Sequence, residues 1–232
     1  VIPFGPPFDV AGWFARDADT LHRVGRVLLN EHGVADMPRR ALIARDGFDW
    51  IDGQVGRALQ GAVAKVTEAL GEQQEVVISE VGLPHWFETF RTLQAASIWA
   101  NHGSWIRETR PTFGPGIKER LEWAEGVTEQ DVRRAKVEHQ KVCVRLDQLL
   151  GAADVLLLPT SPRVAPLKNT PVDEIEVKFR NQAMHLLCIA GLGGLPQLSL
   201  PLAELDGLPL GLSLVGRRGA DMALLALARR VL

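Results

Sequence analysis

The run Asp154-Val155-Leu156-Leu157-Leu158-Pro159 constrains the fold more than any other stretch of the chain. It is apolar without alternation, so a strand here has no face to turn to water and must be covered on both sides. What comes before it supplies part of the cover. Thr128 opens a Thr-x-x-Asp box with Asp131, close to the helix-capping pattern. Val132, Ala135, His139, Val142, Leu146 and Leu149 follow at alternating spacings of three and four, and Gly151 closes the helix. A long amphipathic helix running straight into a doubly covered strand is an α/β unit.

The same order recurs along the chain. A helix begins after Asp17 or Asp19, carries Leu21, Val24 and Leu28, and stops near Gly33. A second runs from Gly53 to Leu70, with Val55, Leu59, Val63, Val66 and Leu70 on one face, and leads to a short buried strand at Glu75-Val76-Val77-Ile78. A third covers Pro84 to about Arg107, and Pro111 to Gly116 break it. Towards the end, Phe179 to about Ala190 reads as helix and Leu195 to Pro201 as strand. Asp206-Gly207 is a turn, Leu208 to Val215 a further strand, and Asp221 starts a last helix. The expected fold is α/β: a mixed, largely parallel sheet flanked by helices, closing in a hairpin, with residues 1–232 in one domain. No repeat, low-complexity tract or linker divides it.

Composition excludes some functions. With 26 Lys+Arg against 28 Asp+Glu the net charge is −2, too balanced for a dominant electrostatic grip on nucleic acid or an anionic membrane. The paired arginines, such as Arg133-Arg134 and Arg217-Arg218, are interleaved with acids and read as solvated faces. The uncharged stretch from Asn181 to Ala203 is broken by Gly191, Gly193, Gly194, Pro196 and Pro201, so it does not span a membrane as one helix. Cys143 and Cys188 make neither a disulfide framework nor a metal motif; free thiols in a reducing cytoplasm are the expectation.

No nucleophile elbow is present: Gly211-Leu212-Ser213-Leu214-Val215 lacks the second glycine. No His-x-x-x-His or Cys-x-x-Cys offers a metal site, and no cofactor motif is found. His139 and His185 sit within helical runs and read as structural. Gly191-Leu192-Gly193-Gly194 follows a helix and precedes a strand, the reverse of a phosphate loop, and reads as a helix C-cap with tight backbone packing. The aromatics crowd into Trp86, Phe87, Phe90, Trp99 and Trp105, as core or as the wall of an apolar pocket. Thr160-Ser161-Pro162 lies at the carboxyl end of the apolar strand, where open α/β sheets bind ligands. An ordinary strand-exit turn explains the same residues.

Three blocks, in order, resemble the amidase signature family in its C-terminal half. They are Phe8-Asp9-Val10-Ala11-Gly12-Trp13-Phe14-Ala15-Arg16-Asp17, then Leu158-Pro159-Thr160-Ser161-Pro162, then Ala190 to Pro201 continuing through Asp206 to Gly216 and Asp221. Residues 8–17 are most similar to indoleacetamide hydrolase-like amidases. The resemblance implies hydrolysis of a carboxamide to carboxylate and ammonia or amine. A serine nucleophile, a second serine in a cis peptide and a neutral lysine base carry it, with glycine-loop amides as oxyanion hole. In the family these lie upstream of the first block. The six serines here (Ser79, Ser97, Ser104, Ser161, Ser199 and Ser213) are isolated, so no catalytic residue is assigned. The resemblance leaves to this portion the scaffold and part of a substrate pocket: Thr160, Ser161 and Pro162 in the loop, Gly193 at the helix-to-strand passage, and Trp99 in the aromatic segment.

The opening Val1-Ile2-Pro3-Phe4-Gly5-Pro6-Pro7 has neither an initiator Met nor the charge and apolar pattern of a signal peptide. It reads as the continuation of a longer protein. The expected partners are a small amide substrate, the N-terminal half of the same protein and optionally a second copy, with no nucleic acid, membrane, metal or cofactor. Without that N-terminal half, an apolar face of the sheet is expected to stand exposed. Two other readings fit the same residues: an amidase-like docking module without catalysis, and an amidotransferase A-type subunit.

Overall fold

The computed structural model describes residues 2–31 and 36–232. Its centre is the strand that the sequence singled out. β3 (Asp154–Pro159) is buried at all six positions. It pairs in parallel with β1 (Arg40–Ala44) on one side and antiparallel with β5 (Leu208–Val215) on the other. Beyond β1 lies β2 (Glu72–Val76), parallel; beyond β5 lies β4 (Gln197–Leu205), antiparallel. The order is β2-β1-β3-β5-β4, a mixed sheet with two parallel and two antiparallel pairings. Asp206 (φ 54°) and Gly207 (φ 76°) both take the left-handed conformation that a tight two-residue hairpin needs, and they join β4 to β5.

Alternation along β3 divides the core in two. Leu156 and Leu158 point to one layer, with Trp86, Phe87 and Phe90 of α4 (Leu83–Thr109), Val142 and Leu146 of α6 (Glu129–Leu149), and Leu186 and Ile189 of α7 (Arg180–Gly193). Val155 and Leu157 point to the other. There they meet Val55, Leu59 and Val66 of α3 (Gly53–Leu70) and Leu224 and Leu227 of α8 (Asp221–Val231). α1 (Ala18–Leu28) packs on α8, and its N-cap is Asp17, whose side chain accepts from the Thr20 amide. The expected stop at Gly33 lies outside the described residues.

The capping box of α6 is present: the Asp131 amide donates to Thr128 Oγ1, and the Thr128 amide donates to Asp131 Oδ2. α3 has the bounds expected of it. α2 (Arg45–Asp49), α5 (Ile117–Glu125) and a π-helical turn at Glu174–Phe179 complete the elements. At the sheet's start, Arg40 clamps β1 to β3 through two hydrogen bonds to the buried Asp154 carboxylate, at 2.7 and 2.9 Å.

The strand expected at Glu75–Ile78 is displaced. β2 runs from Glu72 to Val76, and its glutamates and glutamines are exposed, because pairing of Arg40 with Glu72 through Ala44 with Val76 sets the register. Past Val76 the Ile78 and Ser79 amides turn away to the Asp46 carboxylate, which ends the ladder. Large exposed apolar side chains lie along much of the chain, among them Ile2, Val10, Phe14 and Val27 near its start, Val81 and Leu167 further on, and Leu208 on β5.

Candidate functional site

The carboxyl end of β3 delivers Thr160 into a cluster of hydroxyls. The Thr160 amide donates to the Gly211 carbonyl at 3.0 Å, which holds the exit of β3 against β5. Its Oγ1 then shares hydrogen bonds with Ser213 Oγ at 2.7 Å and Ser199 Oγ at 2.8 Å, and Gln197 Nε2 donates to Ser213 Oγ at 2.9 Å. The chain of hydroxyls runs from the core to the surface, since Ser213 is fully buried and Ser199 is exposed. Gly211 makes room for it: a Cβ there would stand 2.7 Å from Ser199 Oγ and 2.8 Å from Thr160 Oγ1. These groups can donate to and accept from a bound amide. No lysine or histidine among the described residues hydrogen-bonds to them, so nothing here activates a hydroxyl as a nucleophile.

The other residues singled out from sequence are placed apart from this cluster. Ser161 Oγ bonds within its own loop, to the Arg163 carbonyl, and Pro162 is buried with its carbonyl accepting from the Asp52 amide. Gly193 is buried where α7 crosses α6: a Cβ would stand 2.8 Å from Leu146 Cδ1 and 2.7 Å from Leu195 Cγ. The next residue, Gly194 (φ 58°), caps α7 in the left-handed conformation. Trp99 lies on α4, with the Arg107 guanidinium 5.2 Å over its ring. The structure therefore joins Thr160 to Gln197, Ser199 and Ser213, and none of these bonds reaches Gly193 or Trp99. A signal for the missed pair did exist. Leu198-Ser199-Leu200 and Leu212-Ser213-Leu214 place a serine between leucines in each strand of the hairpin, and Ser199 pairs directly with Ser213.

A cavity of ≈ 760 Å³ opens between α4, α5 and the π-helical turn. Phe87, Phe90, Ile98, Leu121 and Ala124 form its apolar wall, and Arg91, Arg120 and Arg180 with Glu119, Asp173 and Glu176 bring charges of both signs to it. Arg120 Nη1 donates to Glu176 at 2.8 Å. Burial pushes the Arg180 guanidinium below its usual pKa and Arg120 adds to the shift, while Glu176 opposes it. A second cleft of ≈ 600 Å³ is lined by His85, Asp131, Arg134 and Glu138, and these pair among themselves.

The two helical histidines are structural, as their positions suggested. His139 Nε2 lies 2.7 Å from the Leu192 carbonyl, and His185 is stacked on Trp50 with ring centroids 4.3 Å apart. Burial pushes the His185 imidazole down and the Cys143 thiol up, and Cys188 is pushed up to about 12, so neither thiol is a ready thiolate. No group of three or more His, Cys, Asp or Glu converges among the described residues, and no helix there is long and apolar enough to cross a membrane.

The family model Amidase matches residues 1–225. The chain belongs to the amidase family. Amidase 1 of Arabidopsis thaliana is 33% identical over 97% of this chain and 60% of its own length. The chloroplastic outer envelope protein 64 of the same plant is 28% identical over 97% of this chain and 42% of its own. Among solved structures, a crystal structure of an amidase superposes with a TM-score of 0.84 at 25% identity. That match covers 98% of this chain and 53% of the other. The chain thus spans between 42% and 60% of the length of these two curated relatives. The mixed sheet flanked by helices is consistent with the α/β fold of that amidase.

Proposed function

We propose that the intact protein is an amidase that hydrolyses a carboxamide to a carboxylate and ammonia or an amine, through a Ser–cisSer–Lys set carried outside these 232 residues. One observation carries this. The family match extends over residues 1–225, yet no serine among the described residues hydrogen-bonds to a lysine or histidine. In the family's mechanism a neutral lysine takes a proton through one serine from another, which attacks the amide carbonyl. The proton returns to the leaving nitrogen, and water releases the acyl group. This chain contributes the scaffold and, at the carboxyl end of β3, the Thr160–Ser213–Ser199 hydroxyls as hydrogen-bonding groups for the amide. Here Thr160 acts by positioning substrate and not as nucleophile.

The test is ammonia release from a panel of primary carboxamides by the intact protein. Turnover is expected, with Thr160→Val raising KM several-fold and changing kcat less, and the 232-residue chain alone is expected to be inactive. Turnover by the chain alone, or none by the intact protein, refutes the reading. The likeness to outer envelope protein 64 favours a second reading, a docking module without catalysis. An intact protein that binds amides and releases no ammonia supports that alternative.

A further inference from the structure

The helix α5 is loosely tied to the rest of the molecule. Of its nine residues only Leu121 and Ala124 are buried, while Ile117 and Trp123 remain 46% and 39% exposed. It packs on α4, and no backbone hydrogen bond joins it to another element among the described residues. Its remaining ties are side-chain contacts. Arg107 donates to Glu125 at 3.0 Å, Arg120 donates to Glu176 at 2.8 Å, and the Arg91 guanidinium lies 4.5 Å from the centre of the Trp123 ring. Both ion pairs are open to water, and pairs of that kind hold weakly. The ends of α5 carry glycines that packing does not explain. A Cβ on Gly114 would meet nothing within 4 Å, and one on Gly126 would meet only the Trp123 carbonyl, at 3.4 Å. Backbone freedom is what these two positions gain from glycine. Within the helix, the Gly116 amide donates to the Glu119 carboxylate, so α5 carries its own cap and can move as a unit.

The position of this helix gives its looseness a consequence. Trp123 lines both the cavity of ≈ 760 Å³ and the cleft of ≈ 600 Å³, with Leu121 and Ala124 turned to the first and Glu122 to the second. We propose that α5 is a hinged lid. It swings off α4 about Pro111–Gly116 on one side and Gly126-Val127 on the other, and its opening joins the cavity to the cleft. Elements that open ahead of the whole fold are those with few buried apolar contacts and exposed polar ties, and lids commonly turn on a few small residues at an element's ends. The long neighbours α4 and α6, with buried residues spread along their length, form the frame against which it moves. This goes beyond the amidase reading, because it concerns a motion and no chemical step. The two fail separately, since the lid can be measured whether or not any amide is hydrolysed.

The test is thiol labelling of the intact protein, with each cysteine resolved by peptide mass mapping. Ala124→Cys puts a thiol on the underside of the lid, and Ala62→Cys puts one on the buried face of α3 as a reference. The first is expected to label about a hundredfold faster than the second. Arg91→Leu and Arg107→Ala, which each cut a tie, speed it several-fold. Gly114→Ala combined with Gly126→Ala stiffens both hinges without a clash and slows it several-fold. A static opening would be indifferent to ties and hinges alike. Melting curves establish that each variant is folded. Labelling no faster than at Ala62→Cys, or a rate that either set of variants leaves unchanged, overturns the proposal. Should Ala124→Cys fail to fold, hydrogen exchange of the unmodified protein decides it. A helix this short frays once it leaves its support, so α5 should exchange about tenfold or more faster than the middle of α4 and α6. Equal protection of the three helices overturns the proposal.

Discussion

Removing one hydroxyl of the Thr160 cluster should cost an amount set by what it strands, not by how many bonds it makes. Ser213→Ala deletes two neutral hydrogen bonds, to Thr160 and from Gln197. Both partners keep an outlet: Thr160 retains the exposed Ser199, and Gln197 is only half-buried, so the cost is about 1 kcal/mol. Thr160→Val also deletes two bonds, but it leaves the fully buried Ser213 hydroxyl with Gln197 as its one remaining partner among the described residues. A buried hydroxyl left short of a partner raises the cost to about 2–3 kcal/mol. Once Ser213 is alanine nothing is left to strand, so the double variant should cost less than the sum of the singles by about 1 kcal/mol. Urea unfolding of the intact protein, at unchanged slope, measures all three. Strict additivity, or a Ser213→Ala more damaging than Thr160→Val, refutes the reasoning.

Two further predictions are independent of that cycle. Gly211→Ala puts a methyl group within 2.8 Å of two hydroxyl oxygens in the same cluster, and the overpacking should destabilise by about 1–3 kcal/mol, read from the same unfolding curves. Asp131 is held at about 2, below its ordinary 3.8, by hydrogen bonds from Thr128 and then Arg134. Its folded value being depressed, the stability it contributes is complete above pH 3.8 and is lost as pH falls towards 2. Asp131→Asn should therefore flatten the stability profile over that interval, and an unchanged acid limb would contradict the capping box as its source.

The elements legible in the sequence were those whose burial is written into a single segment. The α6 heptad-like spacing and the apolar β3 are self-sufficient signals, and so is the Asp206-Gly207 turn. β2 was misplaced because Glu72-Gln73-Gln74-Glu75 has no apolar pattern; its extended form comes from the ladder to β1. β1 escaped notice because Arg40-Ala41-Leu42-Ile43-Ala44 is short and flanked by arginines, and it is a strand through its two neighbours. α5 and the π-helical turn follow Pro/Gly-rich stretches that conceal short helices. The site divides in the same way. Thr160 could be found from its place after an apolar strand, whereas its partners come from a hairpin some forty to fifty residues on.

The hairpin also bears on the order in which the sheet is assembled. β4 and β5 meet across a two-residue turn, whereas Arg40 and Asp154, paired across β1 and β3, are 114 residues apart in sequence. Closing the longer loop costs more chain entropy, by about 0.6 kcal/mol for each doubling of its length, and must precede any reward from the central pairing. The hairpin can form on the microsecond scale of local structure, while the β1–β3 pairing waits for collapse. Leu212 and Leu214, with Val215 on the opposite face, then stand ready as a template when β3 arrives. The Ser199–Ser213 half of the hydroxyl cluster is thus laid down before Thr160 joins it, and a weakened turn at Asp206-Gly207 should slow folding more than it speeds unfolding.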